Sequence, residues 1–370
     1  MDFTFTTEAE EAAALAATIL TDHTTPEQLA KVEAGGDRLD PVLWRALGHA
    51  GLRSLTTPED EGGGGLGLVE LCRVLVEVGR TVAPVPLASD TVARLFVAEH
   101  GTHEQRRLAA PTPDDGWGNV LSLAIAEEHE HVPTVPTTTA TLDGAGYVLA
   151  GTKHLVPAAT VASMFLVPAT TPDGVVVFLV DAAAVGIREQ RLSDGDVVGL
   201  LDLDDVQVPA ERRVGSAGEN GSAERLRDLA TVATCAVQLG VTEHALGLTA
   251  QYASTREQFD RPIGSFQAVS QRLADGYIDT RLQALTLWQA AWRLQAGVPA
   301  EDAVATAKLW AADAGHRIAH TTVHVHGGVG IDLDGVPHRY FTAAKRLESE
   351  HGGATEQALR LGRLLAAGPA

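Results

Sequence analysis

Hydrophobic positions along this chain fall into three regimes. From the start to about residue 118 they recur at helical spacing. The clearest case runs from Leu66 to Val82, where Leu68, Leu71, Cys72, Leu75, Val78 and Gly79 share one face and predict an amphipathic helix. The four glycines Gly62 to Gly65 ahead of it predict a loop. Pro111, Pro113, Asp114, Asp115 and Gly116 mark a break. Between 119 and 221 the apolar runs shorten and turn residues separate them. Leu121–Ala126, Tyr147–Gly151 after the Asp143-Gly144 turn, Phe165–Val167, and Val175–Val180 after Pro172-Asp173-Gly174 predict a compact β domain. From 222 to 370 longer helical stripes return. One is Leu229, Val232, Ala236, Leu239 and Leu246; a second is Val269, Leu273, Leu282, Leu285, Trp288 and Trp292. A third follows Gly297 and Pro299, through Ala303, Ala307 and Trp310. The order predicts an α+β chain: an N-terminal helical domain (1–118), a central β domain (119–221) and a C-terminal four-helix bundle (222–370).

Composition narrows the partners. The 370 residues are 45% hydrophobic, ample for a sizeable core, yet no apolar run reaches the roughly 20 residues of a membrane span. Acidic residues number 48 against 28 basic ones, and the net charge of -20 argues against a nucleic acid or an anionic membrane as main partner. Cys72 and Cys235 each fall in a predicted helix and read as buried thiols rather than disulfide or metal ligands. His129 and His131 have no second ligand cluster at zinc spacing, which predicts a solvated loop and no metal. The acidic start lacks an apolar signal core, so a cytoplasmic protein is expected.

Two segments carry candidate chemistry. The first runs from Tyr252 to Gln267 and holds Arg256, Phe259, Arg261, Pro262 and Phe266. Arginine offers a planar fork that matches phosphate oxygens, and phenylalanine offers a flat apolar surface. Alone, this composition suits either a nucleotide pyrophosphate or a salt-bridged turn between helices. The second runs from His324 to Gly330, where glycines admit close approach of the backbone to a ligand, or simply end a helix.

Together these segments resemble the acyl-CoA dehydrogenase family. Arg256 and Phe259 with Pro262, Ile263, Phe266 and Gln267 look like one family signature. His324, Gly327 and Gly328 followed by Pro337, Arg339, Tyr340, Ala344 and Lys345 look like the last one. Pro58, Gly62, Leu66 and the run Glu77 to Arg80 resemble the N-terminal Gly-rich loop and its helix, so the likeness spans nearly the whole chain. The resemblance implies FAD bound at a subunit interface and oxidation of an acyl-CoA thioester to its trans-2-enoyl form. In the family a carboxylate removes the α proton while a hydride passes to the flavin. It implies FAD contacts from Arg256, Phe259, Gln267, His324, Gly327 and Gly328, with His324 standing where the family has Gln. An electron-transferring flavoprotein is the implied electron acceptor.

Three departures follow from the same comparison. The family's base position in the final signature holds His351, next to Glu350, and the alternative base position holds Ala230, with Asp228 two residues away. The β-domain segment that lines the flavin ring in the family reads Ala126 to Pro133, acidic and without glycine or hydroxyl groups. It is expected to repel a phosphate. The half that reaches the adenosine diphosphate looks kept and the half that holds ring and base looks lost. Three readings stand. The chain is one subunit of a heteromeric (α2β2) acyl-CoA dehydrogenase, acting with a homologous subunit, with a steroid side-chain CoA as a candidate substrate. Alternatively it is a homomeric enzyme with His351 as an unusual base, or a dehydrogenase-like binding or assembly protein without redox activity.

Overall fold

A computed structural model describes residues 4–112, 116–215 and 221–368. Pro113 to Asp115 of the expected break, and the first three residues of the acidic start, lie outside the described residues. The helices in chain order are α1 (Thr7–His23), α2 (Pro26–Gly35), α3 (Pro41–His49), α4 (Leu68–Arg80), α5 (Leu87–His100), α6 (His103–Ala109), α7 (Gly221–Thr255), α8 (Gln267–Gln295), α9 (Glu301–His326), α10 (Pro337–Ser349) and α11 (Ala354–Ala366). Between α6 and α7 come β1 (Val120–Leu123), β2 (Thr139–Asp143), β3 (Gly146–Ala150), β4 (Thr152–Pro157), β5 (Ala162–Thr171), β6 (Gly174–Asp181), β7 (Gly186–Arg191), β8 (Val197–Asp202), β9 (Val206–Pro209) and β10 (Arg213–Val214). A short hairpin, β11 (Glu257–Gln258) and β12 (Arg261–Pro262), joins α7 to α8. Helices, then strands, then helices is the acyl-CoA dehydrogenase order expected above. No helix among the described residues is long and apolar enough to cross a membrane.

The chain divides into two compact units, one of residues 1–31, 72–83 and 231–370, the other of residues 32–71 and 84–230. In the second unit, a larger sheet runs β10-β6-β5-β2-β3-β9 with β1 pairing parallel to β5, and a smaller one runs β4-β8-β7. Their inner faces share a core of Leu149, Val156, Phe165, Val167, Phe178, Leu201 and Val208. Local chemistry sets the helix starts: Asp40 accepts from the Val42 and Leu43 amides with Pro41 at the first helical position of α3. Buried Asp90 of α5 is satisfied by Arg94 (2.7 and 2.9 Å) and the Leu121 amide (2.9 Å), which ties that helix to β1.

In the other unit α9 packs against α8, α10 and α11. Val241 and Ala245 of α7, Ile318 and Ala319 of α9, and Tyr340, Ala343 and Leu347 of α10 form one apolar cluster with Leu29 and Val82. The stripe expected to bury α8 is corrected here. Its inward face is Gly276, Asp279, Thr280, Gln283, Leu287, Ala290 and Leu294, small and partly polar. Leu285 and Trp292 of the predicted stripe are 67% and 49% exposed, with Tyr277 and Ile278 on the same outer side. Periodicity reports which positions are apolar, not what covers them. Gly276 lets Leu246 of α7 come within contact of the helix backbone, so the close side is the one with small residues.

Candidate functional site

The two signature segments meet at one end of this helical unit. The Arg256 amide closes the last turn of α7 on the Tyr252 carbonyl (2.8 Å), and the chain then folds into the β11–β12 hairpin. Its two central residues, Phe259 and Asp260, have φ of 54° and 60°. A two-residue hairpin with positive φ at both positions is the type I′ turn, normally built from Asn-Gly. Placing a phenylalanine there costs roughly 1–3 kcal/mol, and such strain concentrates where a side chain must be presented. The Phe259 ring is 85% exposed.

The hairpin carries two arginines with different commitments. The Arg261 guanidinium sits 4.1 Å over the Phe266 ring. Arg256 is exposed, and its side chain has no partner among the described residues. Gln267 is exposed at the first position of α8.

The second segment arrives through an aromatic contact that sequence reading missed. Tyr252 stacks on His326 with centroids 4.4 Å apart, and His326 is buried with Nδ1 2.8 Å from the Thr322 carbonyl. Thr249 and Thr322 share a hydrogen bond of 3.1 Å one turn further in. These contacts bring the C-terminal ends of α7 and α9 together, so the hairpin and the Gly327-Gly328 pair both leave from that end. The signal was present in the residue types, an aromatic inside each segment, but nothing in the sequence said that they touch. Gly327 adopts φ 65°, ψ -141°, a conformation essentially limited to glycine. A Cβ added to Gly327 or Gly328 would meet nothing within 4 Å, so both lie open. His324 is also exposed. An uncommitted guanidinium, an exposed flat ring and an open glycine backbone suit a phosphate-bearing aromatic ligand, which is what the adenosine diphosphate end of FAD presents.

The positions expected from the resemblance to hold the family's base, His351 and Ala230, lie elsewhere. His351 follows α10 with φ 57°, and its Nδ1 shares a 2.9 Å hydrogen bond with Thr234 Oγ1 of α7. Glu350 beside it is ion-paired with Arg346. Ala230 and Asp228 are both buried.

In the β-rich unit, the segment from Ala126 to Pro133 corrects one expectation. Glu127 was grouped with residues that repel a phosphate, but it is buried and consumed. Its carboxylate accepts from Lys153 Nζ (2.8 Å), from the Thr137 amide and hydroxyl (2.6 Å each), and from the Thr138 amide (3.0 Å) and hydroxyl (2.7 Å). Burial pushes this carboxyl up, but Lys153 and the threonine donors hold it down at about 2. Of the acidic side chains in the run, only Glu128 and Glu130 are exposed. Among the described residues no group of three His, Cys, Asp or Glu side chains is arranged to hold a metal.

Comparison with known proteins identifies the family. Residues 6–112 match the acyl-CoA dehydrogenase N-terminal domain and residues 226–363 match the acyl-CoA dehydrogenase C-terminal domain. The chain is 45% identical to acyl-CoA dehydrogenase FadE27 of Mycobacterium tuberculosis over 100% of both chains. It superposes on a chain of the ChsE4-ChsE5 complex from Mycobacterium tuberculosis with TM-score 0.92 and 45% identity, covering 100% of each. It superposes on a chain of a variant of the Tcur3481-Tcur3483 steroid ACAD with TM-score 0.91 and 43% identity, covering 98% of each. The chain belongs to the acyl-CoA dehydrogenase family of oxidoreductases.

Proposed function

We propose that this chain is one subunit of a heteromeric acyl-CoA dehydrogenase and contributes the adenosine diphosphate half of an FAD site at the interface with a homologous subunit. One observation carries the reading: among the described residues Arg256 has no side-chain partner and Phe259 is exposed, Gly327 and Gly328 lie open at the same end of the unit, and the two expected base positions lack a carboxylate. Arg256 would hold the pyrophosphate, Phe259 and His324 would flank the adenine, and Gly327 and Gly328 would admit the ligand to the backbone, with Gln267 at the margin. FAD is the cofactor of this family and supplies the hydride acceptor when bound. The base that removes the α proton then comes from the partner.

Two further facts support a partner. The outer face of α8 exposes Tyr277, Ile278, Leu285 and Trp292 together, and exposed apolar patches of that kind mark association surfaces. The two solved assemblies cited above are each named as a pair, one of them as a steroid ACAD. We extend that to the substrate: a bulky CoA thioester with a steroid side chain, desaturated between the α and β carbons, with an electron-transferring flavoprotein as acceptor. A homomeric enzyme using His351 is the second reading, and the observation in its favour is that Thr234 anchors the imidazole at the base position.

Arg256→Gln tests the assignment within the assembled complex. A charge-assisted hydrogen bond contributes about 1.5–3 kcal/mol, so flavin affinity is expected to fall roughly ten- to a hundredfold, read as flavin lost on dialysis. The gel-filtration volume is expected to stay unchanged. Flavin retention equal to the parent complex would remove Arg256 from the site.

A further inference from the structure

Lys308 of α9 is the most unusual cation in the helical unit. Its side chain is fully buried, and its ammonium donates to the Leu347 carbonyl at 2.9 Å and the Glu348 carbonyl at 3.1 Å. Both acceptors belong to the last turn of α10, where carbonyls lack intrahelical partners and carry the negative end of the helix dipole. No carboxylate makes an ion pair with Lys308 among the described residues. Taking an ammonium out of water is costly, and a methionine would fill the same space without that cost. A lysine here therefore acts through direction and charge rather than through packing.

What it directs is the turn that follows. Beyond Ser349 the backbone passes through Glu350, then His351 at φ 57° and Gly352 at φ 91°, before α11 starts. Two consecutive residues in the left-handed region, the first not a glycine, form a strained link that its surroundings must hold. Three side chains do so: Thr234 bonds the His351 ring, Gln357 donates to the His351 carbonyl at 3.1 Å, and Lys308 fixes the carbonyls from which the turn departs. We propose that Lys308 is a positioning residue that caps α10 from a neighbouring helix and thereby sets the turn carrying His351. Its weight for activity rests on the second reading above, in which His351 stands at the base position. The device itself is built from residues of this chain.

The test is hydrogen exchange on the full-length chain carrying Lys308→Met, followed by peptide over residues 347–357 and over α7 and α9 as internal references. Amides of that turn, such as Glu350, Gly352 and Gln357, are expected to exchange at least tenfold faster, with the reference helices unchanged. The His351 ring resonance is expected to move toward that of a solvated imidazole. Thr234→Val is expected to move the ring resonance without changing exchange in the turn. Lys308→Gln retains a neutral donor and is expected to give an intermediate acceleration, so it replaces the methionine variant if that chain fails to fold. Unchanged exchange in 347–357, or equal acceleration in all helices, would overturn the positioning role while leaving the FAD assignment intact. Loss of flavin binding in Arg256→Gln with a normal Lys308 result separates the two claims in the other direction.

Discussion

Lys153→Met is expected to destabilise the chain by about 3–5 kcal/mol, read as a lowered urea midpoint, because it leaves the Glu127 carboxylate buried without its counter-charge. Lys153 is itself fully buried, and burial pushes its ammonium down to about 8, against the raising effect of Glu127. The pair is therefore costly to hold and costlier to break. Adding Glu127→Gln to Lys153→Met is expected to recover part of the loss, since no charge is then left buried without a partner, although the single amide oxygen can accept from only one of the two threonines, Thr137 on one carboxylate oxygen and Thr138 on the other. Double-mutant coupling would measure the pair directly. The acid side carries a sign that can be worked out. Glu127 sits at about 2 in the folded chain against an ordinary value of 4.5. Its contribution is present above 4.5 and is lost as pH falls through that value toward 2. A stability profile between about pH 5 and 2 should steepen in the parent chain relative to the double variant, and parallel profiles would contradict the assignment.

Gly79→Ala is expected to cost about 3 kcal/mol or more, and soluble yield is the first readout. A Cβ on Gly79 of α4 would fall inside the Val237 carbonyl of α7, and one on Gly240 of α7 would fall inside the Val76 carbonyl of α4. The two glycines face each other across one helix crossing with backbone on both sides, so no side-chain rotation relieves the overlap. Gly240→Ala is expected to have a matching effect, and the two losses should not add. Gly247, also on α7, would meet nothing within 4 Å on gaining a Cβ and is the control: its alanine variant is expected to be neutral or stabilising. Wild-type thermal stability in Gly79→Ala would mean that these helices do not approach as described.

The contrast between these residues shows what a sequence can carry. Order of elements, the Gly62–Gly65 loop and the β2–β3 hairpin after Asp143-Gly144 followed from local patterns, because turn chemistry and periodicity are local. Arg256, Phe259, Gly327 and Gly328 were legible as motif residues. That Arg256 is uncommitted while Arg261 lies on Phe266 was not, since two nearby arginines look alike in a string. Gly79 was counted with an apolar stripe when its purpose is to lack a side chain. Nothing local marks Lys153 or Lys308 as buried, because burial of a cation depends on a distant partner, Glu127 in one case and the end of α10 in the other. The outer stripe of α8 looked like core for a related reason: an exposed apolar face has the same period as a covered one.

The most direct measurement is the flavin absorbance spectrum of this chain, purified alone and then co-expressed with a homologous subunit that retains the base glutamate. An FAD site built from two different chains predicts colourless protein alone, and a yellow complex with the partner whose flavin is bleached by an acyl-CoA thioester. Flavin bound by this chain alone and bleached by an acyl-CoA would contradict it and would place the chemistry at His351.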